Sequence, residues 1–527
     1  MKRIFIFLSM AVFAIGMMSA QWVPSDTEST QLDKEGAEGQ VQMKTVRTDD
    51  GKIILSWLRP EMNDNVFSYE LHLQLFDANG VAQFGDEGII VCNKPTRTWT
   101  TDYGMALADN GDILLAYTDV RNDPVNMEET EVYIYRYNQA GEPVWDVDGV
   151  RFPSWNINAN SFSFEDQNPA ICVNGDNIYV GIVRIEYFGG SQSVWEVVRL
   201  NDDGTAVPGA QTVFYSKTLA MKPSIDGSIF CIYENADLGY DAQRLDENLT
   251  NVWGEPITIE NRPISSGRFV PTPIAEVDNE GGIFLTYRVL VDFTGFQVIN
   301  HLTPDGPSID QAVSCNNSED GDAGSAVIAV KEDKVFTGWE WDNDPFFMYV
   351  NVIDALGNFC WPDDKMYGYP IDRNNTWGFV PVKAIPRESG WILLYGNLQT
   401  WNGANFMVVK FDEAGEIVSC RQIREDNCKS SGFSVVYDER YAYIFYTQEV
   451  QYDDQWNEIP GSGGMFVMCI DISEEVPSGI NEVEVGQPVN TEIFTIDGKR
   501  VTEMTHGIYI VRNTDANGNV TTLKVRM

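Results

Sequence analysis

The sequence predicts an all-β protein whose main part is a β-propeller of about eight four-stranded blades, with seven as the alternative count. Three observations support this fold. Turns related to DANG (77–80) recur 45 to 63 residues apart, with their first residue at 77, 138, 201, 246, 303, 354, 412 and 471. Short runs rich in β-branched and aromatic residues precede the turns, and no helical periodicity accompanies them.

Residues 1–20 predict a signal peptide. Lys2 and Arg3 precede the apolar run 4–18, and Ser19 and Ala20 provide small residues for cleavage before Gln21. No later run reaches the ~20 apolar residues of a membrane-spanning helix. We therefore expect a protein that passes through the periplasm and is secreted or held on the outer cell surface, with no membrane-spanning segment.

Residues 21–475 form the predicted propeller. Each repeat holds a first strand, an apolar second strand such as ILLAY (113–117), a third strand such as EVYIYRY (131–137), the turn, and a fourth strand such as GIIVCN (88–93). One such sheet cannot bury both faces alone, so neighbouring blades must supply the core. The last repeat lacks a fourth strand and residues 21–40 have no blade of their own, so we expect this N-terminal segment to close the last blade.

Composition narrows the class of partner. The chain has 36 Lys and Arg residues and 78 Asp and Glu residues, and the resulting net charge of −42 would repel phosphate, which argues against a nucleic-acid partner.

Most of the eight cysteines lie in apolar runs, where they pack as core residues, and the pair Cys420–Cys428 is the disulfide we expect. We expect a monomeric propeller without a cofactor, calcium being the one candidate ion.

Residues 476–527 differ from the propeller in charge and pattern. From residue 479 onward the tail carries 5 basic and 6 acidic residues, so the net charge lies in the preceding repeats. Its short strands are separated by Asp-Gly and Asn-Gly turns, which predicts a small β-sandwich-like domain.

The order of the blocks in this tail resembles the C-terminal sorting domain, of a short, type A-like kind, found in cargo of the type IX secretion system of Bacteroidetes. The matching blocks are IDGKRV (496–501), GIYIV (507–511) and LKVR (523–526), and the motif positions are Asp497, Gly498, Gly507, Tyr509 and Lys524. The resemblance implies that the type IX machinery is a partner and carries the protein across the outer membrane. A small β-module that only packs on the propeller is the alternative.

Patterns of catalytic residues are sparse. Of the three histidines, His72 falls in a third strand, His506 lies in the tail, and His301 takes the repeat position held elsewhere by Arg136. None is placed to join a Ser/His/Asp or Cys/His pair. The D/N-x-x-G-x-x-x-W turns differ in spacing from the S-x-D-x-G-x-x-W box of sialidases and lack its Ser, which argues against a sialidase site. Carboxylates are so numerous that the sequence does not locate a glycosidase pair.

The stretch NNSEDGDAGS (316–325) spaces its oxygen ligands as a calcium loop does. The candidate ligands are Glu319, Asp320 and Asp322. The stretch lacks the alternation and the distal Glu of an EF-hand, so an acidic loop between blades is the alternative.

The long loops between second and third strands should share one face of the propeller with the loops that join one blade to the next. Their aromatic and acidic residues suit the recognition of a sugar or a peptide. The alternative is that many of these rings fill gaps between blades. The candidate binding residues are Tyr69, Trp99, Asp123, Tyr187, Phe188, Trp341, Asp342, Asp344, Trp377, Trp401, Tyr452 and Trp456.

The sequence therefore favours a secreted or cell-surface propeller that acts as a non-enzymatic binding or adhesion module for a glycan or a protein. Two alternatives stay open. One is a secreted carbohydrate-active hydrolase or lyase with carboxylates at the propeller axis, and the other is a structural component of a surface assembly.

Overall fold

The structure of the chain is a computed structural model. It describes residues 22, 24–33, 41–63, 66–96, 103–122, 129–154, 163–187, 191–216, 218–264, 272–291, 294–315, 322–342, 347–362, 369–372, 378–400, 403–423, 430–448, 459, 463–473, 490–495, 499–501, 508–514 and 520–526. Throughout these ranges the regular secondary structure consists of strands, and we number them β1 to β37. No helix in the described part of the chain has the length and apolar character needed to cross a membrane.

Eight antiparallel sheets follow one another along the chain and form a ring, so the fold is an eight-bladed β-propeller and the eight-blade prediction is confirmed. Blade 1 contains β2 (Val41–Arg47), β3 (Ile53–Asn63), β4 (Val66–Phe76) and β5 (Ile89–Cys92), and blade 2 contains β6 (Tyr103–Leu107), β7 (Ile113–Asp119), β8 (Glu131–Tyr137) and β9 (Val150–Arg151). Blade 3 contains β10 (Ser163–Asn174), β11 (Asn177–Tyr187), β12 (Ser191–Leu200) and β13 (Ala206–Phe214), and blade 4 contains β14 (Leu219–Pro223), β15 (Ile229–Glu234), β16 (Tyr240–Leu245) and β17 (Ile257–Glu260).

The second half of the ring repeats this order. Blade 5 adds a short fifth strand, and blade 8 takes its outer strand from the N-terminal segment. Blade 5 contains β18 (Ile274–Val277), β19 (Ile283–Val291), β20 (Thr294–Thr303), β21 (Gly306–Pro307) and β22 (Val313–Ser314), and blade 6 contains β23 (Asp322–Lys331), β24 (Lys334–Asp342), β25 (Phe347–Asp354) and β26 (Tyr369–Asp372). Blade 7 contains β27 (Phe379–Arg387), β28 (Gly390–Thr400), β29 (Gly403–Asp412) and β30 (Ile417–Ile423), and blade 8 contains β31 (Ser430–Tyr437), β32 (Tyr441–Gln448), β33 (Gly464–Asp471) and β1 (Thr30–Asp33).

The hydrophobic core lies between blades. Eight clusters of buried apolar side chains occur among the described residues, one for each junction of neighbouring blades. At the junction of blades 1 and 2, for example, Leu71 and Leu73 pack with Tyr117 and Tyr135. Each sheet therefore buries its two faces against two different neighbours, as the repeat pattern requires.

The N-terminal segment closes the ring. Strand β1 pairs antiparallel with β33, where Gln31 lies opposite Phe466. The Gln31 side-chain amide donates to the Gly463 carbonyl at 2.8 Å, and the hydroxyls of Ser29 and Tyr446 are 2.7 Å apart. These bonds cover the edge of β33, which would otherwise present unpaired backbone groups to solvent.

The turn after each third strand has a defined hydrogen-bond pattern, which blade 2 illustrates. The Asn138 side-chain oxygen accepts from the backbone N–H groups of Ala140 at 2.9 Å and Glu142 at 3.0 Å. Gly141 has a φ of +78°, a conformation that glycine adopts without strain. The pattern explains why Asn or Asp opens these turns and why glycine follows three residues later.

The tryptophan that follows the turn joins two blades. Trp145 of blade 2 donates its indole N–H to the Asp202 carbonyl of blade 3 at 2.8 Å. Its ring lies so close to Gly204 that a Cβ there would come within 3.1 Å. Trp145 therefore packs between blades, and the motif has an architectural role.

Residues Ser473–Met527 form a second compact unit, separate from the unit Met1–Ile472. The strands described in it are β34 (Asn490–Thr495), β35 (Arg500–Val501), β36 (Ile508–Thr514) and β37 (Val520–Arg526). They form one antiparallel sheet in the order β35-β34-β36-β37, whereas the sequence analysis expects a sandwich-like module. Four short strands in about 50 residues provide only one sheet among the described residues.

Candidate functional site

We call the loop face the face of the propeller at which the second strand of a blade ends and the third begins. Two of the predicted binding residues on this face are described with their side chains. Tyr69 in β4 is half-buried, and its carbonyl accepts a hydrogen bond from the Tyr117 hydroxyl at 3.1 Å. Burial raises the pKa of Tyr69. Tyr187 is half-buried at the end of β11.

The remaining predicted residues are described in part or not at all. The backbones of Trp341 and Asp342 end strand β24, where Trp341 lies opposite Phe347 and Asp342 opposite Asp322. The other predicted binding residues lie outside the described residues: Trp99, Asp123, Phe188, Asp344, Trp377, Trp401, Tyr452 and Trp456.

At the loop face of blades 2 and 3 the structure brings together charged groups that the sequence analysis missed. Asp166 on β10 and Arg184 on β11 are cross-strand partners and form a bidentate ion pair, with both N···O distances 2.8 Å. Both side chains are almost fully buried. We call the set Asp119, Arg121, Glu131, Asp166, Arg184 and Glu196 the buried ion cluster.

Glu196 on β12 extends the cluster on the other side of Arg184. One of its oxygens lies 3.8 Å from Arg184 Nη1. The other accepts a hydrogen bond from the Ser154 hydroxyl at 2.5 Å. Glu196 is 0% exposed, so its charge depends on these two neighbours for compensation.

Blade 2 supplies the rest of the cluster. Asp119, which ends β7, is 0% exposed and forms a bidentate contact with Arg121, whose guanidinium also donates to the Tyr135 hydroxyl at 2.8 Å. Glu131, which begins β8, accepts from the Tyr133 hydroxyl at 3.0 Å and pairs with Arg151. Each carboxylate of the cluster thus has a cationic or hydroxyl partner.

Burial dominates the protonation of these acids. It raises the pKa of Asp166 to about 6, although the Arg184 guanidinium lowers it and the neighbouring Glu196 carboxylate raises it further. Burial also raises the pKa of Asp119 above its ordinary value despite the bond to Arg121. Asp119 and Asp166 are enclosed by protein and do not contact solvent. Their ion pairs hold together the strand ends beneath the loops of the loop face.

The inner strands of the blades surround the propeller axis. Glu276 of blade 5 and Lys383 of blade 7 lie 3.8 Å apart, although blade 6 separates their strands along the ring. Glu165 of blade 3 accepts from the Gln167 side-chain amide at 2.6 Å. Glu165 and Glu276 are therefore inner-strand carboxylates, among the described residues, that an axial hydrolase or lyase site could use.

The backbone of several inner strands is irregular. The inner strands β2, β10, β23, β27 and β31 each have a register shift typical of a β-bulge. Gln42 and Asn168 lie at two of these bulges, are exposed, and have φ values of 56° and 48°. Bulges redirect side chains next to functional sites in many sheets.

The histidine and metal expectations have separate outcomes. The His301 ring is hydrogen-bonded at Nε2 to Asp278 at 2.8 Å and at Nδ1 to the Ser308 hydroxyl at 2.6 Å, so it has a structural role at its repeat position.

Across the part of the chain that the structure describes, no three His, Cys, Asp or Glu side chains meet in a way that could hold a metal ion. Of the calcium candidates, Glu319 and Asp320 lie outside the described residues, and Asp322 is described by its backbone in β23.

Other sequence predictions also fall outside the described residues. Cys428 is one of them, so the predicted disulfide to Cys420 stays a prediction. In the sorting motif, Asp497, Gly498 and Gly507 are not described, whereas Tyr509 and Lys524 are described by their backbones in β36 and β37.

A sequence signal for the buried ion cluster does exist. Arg184 interrupts the apolar second strand NIYVGIVRIEY, and Asp166 occurs in the first strand of the same blade. A charge inside an otherwise apolar strand predicts a buried partner of opposite sign. The pairing register that makes these two residues opposite neighbours was needed to identify that partner.

Comparisons with known proteins identify no family. No protein-family model and no curated protein match the chain. Among solved structures, a prolyl endopeptidase has 12% identity and a TM-score of 0.39 over 79% of this chain, which spans about half (54%) of that protein. The NanB sialidase from Streptococcus pneumoniae has 10% identity and a TM-score of 0.35, covering 84% of this chain and 69% of its own.

The polysaccharide lyase Uly1 is similar at the same level, with 10% identity and a TM-score of 0.40, covering 83% of this chain and 91% of its own. Similarity this distant assigns neither a substrate nor an activity to the chain.

Proposed function

We propose that this protein is a secreted or cell-surface propeller that binds a glycan or a protein without catalysis, through the loops of the loop face. In this proposal the type IX machinery exports it by means of the C-terminal unit. The observation that carries the binding role is the buried ion cluster, because it makes a rigid base beneath those loops.

The burial and the hydrogen bonding of the carboxylates in the buried ion cluster support binding over catalysis. A general acid or base must come within hydrogen-bond reach of the substrate atom that it serves. Asp119, Asp166 and Glu196 are at most 3% exposed, and each is engaged by an arginine or a hydroxyl of the protein. Cross-strand ion pairs instead hold the strand ends in place, and a binding surface on loops benefits from such a rigid support.

The test is a comparison of loop-face variants. Trp341→Ala and Trp401→Ala should each weaken retention on a glycan array, or capture of a protein partner in a pull-down, by at least about tenfold, because large aromatic side chains dominate binding energies. The matched control is Trp253→Ala, since Trp253 donates to the Pro304 carbonyl between blades 4 and 5. Unchanged binding by both loop-face variants would remove the loop face as the binding surface.

The hydrolase or lyase alternative depends on the axial carboxylates Glu165 and Glu276. Purified protein should be incubated with a panel of polysaccharides, and Glu165→Gln and Glu276→Gln compared with the wild type. We expect no turnover. Turnover by the wild type that either variant abolishes would replace the binding proposal by the enzymatic one.

A further inference from the structure

Several third strands carry a basic residue immediately before the apolar residue that leads into the turn, and Arg136 of blade 2 shows what this residue does. Its guanidinium donates to the Asp112 carboxylate of its own blade at 2.7 Å and to the Asp202 carbonyl of blade 3 at 3.1 Å. Asp202 is the second residue of the turn that follows the third strand of blade 3. One side chain therefore donates at both ends and joins two blades.

Other blades repeat this connection. Arg244 of blade 4 donates to the Ser228 hydroxyl at 2.9 Å and to the Pro304 carbonyl of blade 5 at 3.3 Å. Lys410 of blade 7 donates to the Ile472 carbonyl of blade 8 at 3.4 Å. Pro304 and Ile472 are again the second residues of their turns. Since a backbone carbonyl only accepts hydrogen bonds, the side chain that reaches it must be a donor.

Blade 5 has a histidine at this position. The His301 ring is 5% exposed, with Nε2 2.8 Å from an Asp278 carboxylate oxygen of the same blade and Nδ1 2.6 Å from the Ser308 hydroxyl. The Ser308 hydroxyl in turn donates to the Ala355 carbonyl of blade 6 at 2.6 Å. Ala355 is the second residue of its turn. A histidine side chain is shorter than that of arginine, and Ser308 extends it to the carbonyl that an arginine reaches directly.

The hydrogen bonds of this series determine the protonation of the ring. The single proton of the Ser308 hydroxyl is donated to the Ala355 carbonyl, so the hydroxyl oxygen must accept from an N–H at Nδ1 of His301. A carboxylate only accepts, so Nε2 must also carry a proton in its contact with Asp278. Both ring nitrogens are donors in the imidazolium, whereas only one is a donor in the neutral ring.

We propose that His301 is an imidazolium in the folded protein at neutral pH, and that it makes the junction of blades 5 and 6 a pH-sensitive link. Loss of the Nε2 proton would place a lone pair against the Asp278 carboxylate. Loss of the Nδ1 proton would turn the Ser308 hydroxyl towards the ring and leave the Ala355 carbonyl without its donor. The link is therefore present at neutral pH and is lost as pH rises. Arginine keeps its charge at all these pH values, so the junction that Arg136 forms does not respond in this way.

The surroundings of the ring favour its cationic form. Asp278 is the carboxylate that forms an ion pair with His301 among the described residues. The ring also packs against the Phe284 ring, with centroids 4.2 Å apart, and an aromatic ring attracts a cation. The turns in contact with this series carry five further acids and two bases, which are Glu280, Asp305, Asp310, Asp333, Asp354, Arg244 and Lys334. The negative charges outnumber the positive ones, and they stabilise a positive ring.

Solid-state nitrogen-15 NMR of the full-length protein, labelled in histidine, tests the protonation directly. The chain has three histidines, and subtracting the spectrum of His301→Arg identifies the signals of His301. At pH 7.0 both ring nitrogens of His301 should give the signal of a protonated nitrogen. An unprotonated ring nitrogen in His301 at this pH would overturn the proposal.

Hydrogen exchange measures the consequence for the junction. After correction for the intrinsic rate, the wild-type turns 303–308 and 354–359 should exchange at least fivefold faster at pH 9 than at pH 7. The turn 201–205 of blade 3, which Arg136 reaches, is the internal control and should show no such increase. This comparison uses the wild type alone, so it decides the question even where a variant fails to fold. An equal increase in all three turns would contradict a link that depends on His301.

Two variants connect the effect to the named groups. His301→Arg restores the residue type of the other blades, so its turns 303–308 and 354–359 should lose the difference between pH 7 and pH 9. Ser308→Ala removes the hydroxyl that reaches Ala355, so the same turns should exchange rapidly at both pH values. The same pH dependence in the wild type and in both variants would show that neither side chain forms the link.

Discussion

At the scale of the residue, the structure shows charges placed where apolar side chains would ordinarily pack. Asp166, Arg184 and Glu196 lie on three neighbouring strands of one blade, and all three side chains are buried. Desolvating such groups costs several kcal/mol each, and the cost is offset only when every partner is present. The cluster therefore specifies one arrangement of strands at the loop face, since a shift in register would leave a charge unpaired.

Asp166→Asn should leave the protein at pH 7 no less stable than the wild type, because burial raises the pKa of Asp166 and the folded state therefore favours a neutral group at this position, which Asn supplies. The difference from the wild type should also depend on pH. The pKa of Asp166 is about 6 in the folded protein, whereas an unfolded Asp titrates near ~3.9. The folded state thus binds more protons between these values, so the stability contributed by Asp166 is fully present below about pH 4 and is lost as pH rises through about 6.

Urea unfolding of the wild type and Asp166→Asn from pH 4 to 7.5 measures this dependence. The free energy of unfolding of the wild type relative to the variant should increase as pH falls through the window and should be constant above it. Other titrating acids, such as Asp119, are common to both proteins and cancel in the difference. Parallel curves across the whole range would show that Asp166 does not titrate there.

At the scale of the element, the turn after the third strand and the tryptophan that follows it act together to join neighbouring blades. Trp361 lies against Gly415 of the next blade in the way that Trp145 lies against Gly204. Blade 8 has no such residue after its own turn, and Trp22 of the N-terminal segment takes the place, with its ring against Gly80 of blade 1. The ring is therefore closed twice, by the backbone pairing of β1 and by the side chain of Trp22.

Trp22→Ala should destabilise the closed ring by about 3–5 kcal/mol, because the indole packs 4.9 Å from Phe76 and 5.8 Å from Phe445 and its loss leaves a cavity. Hydrogen exchange of β1 and β33 should accelerate before that of the other blades. Trp253→Ala, at the junction of blades 4 and 5, is the control and should leave exchange in β33 unchanged. Uniform acceleration around the ring in Trp22→Ala would mean that this junction does not open separately.

At the scale of the whole molecule, the acidic charge is unevenly distributed. The chain between the predicted cleavage site and residue 478 holds 29 basic and 72 acidic residues, whereas the tail from 479 is nearly neutral. Several of the few cations join neighbouring blades, as Arg136 does with Asp202 at 2.5 Å. The remaining carboxylates repel one another across the propeller surface.

Salt should therefore stabilise the protein at neutral pH. Raising NaCl from 10 mM to 500 mM shortens the screening length from about 30 Å to below 10 Å, and the melting temperature should rise by several degrees. Near the isoelectric point of about 4.2 the net charge is close to zero, and the same change in salt should have little effect. An equal rise at both pH values would indicate a general salting-out effect instead of charge repulsion.

The sequence by itself determined the propeller, the order of strands within each blade and the segment available to close the ring. It did so because the four-strand repeat recurs along the chain, and its second and third strands, such as β7 and β8, show the residue types that strands buried on both faces require. The runs ILLAY and EVYIYRY, for example, form β7 and β8 in register with each other.

Only the tertiary structure decided which polar residues meet. The buried ion cluster depends on the pairing register of β10 with β11 and on the packing of blade 2 against blade 3, where Ser154 meets Glu196. Side-chain periodicity encodes which face of a strand is buried. It does not encode which residue of a neighbouring strand or blade lies opposite, because that is set by the packing of the whole ring.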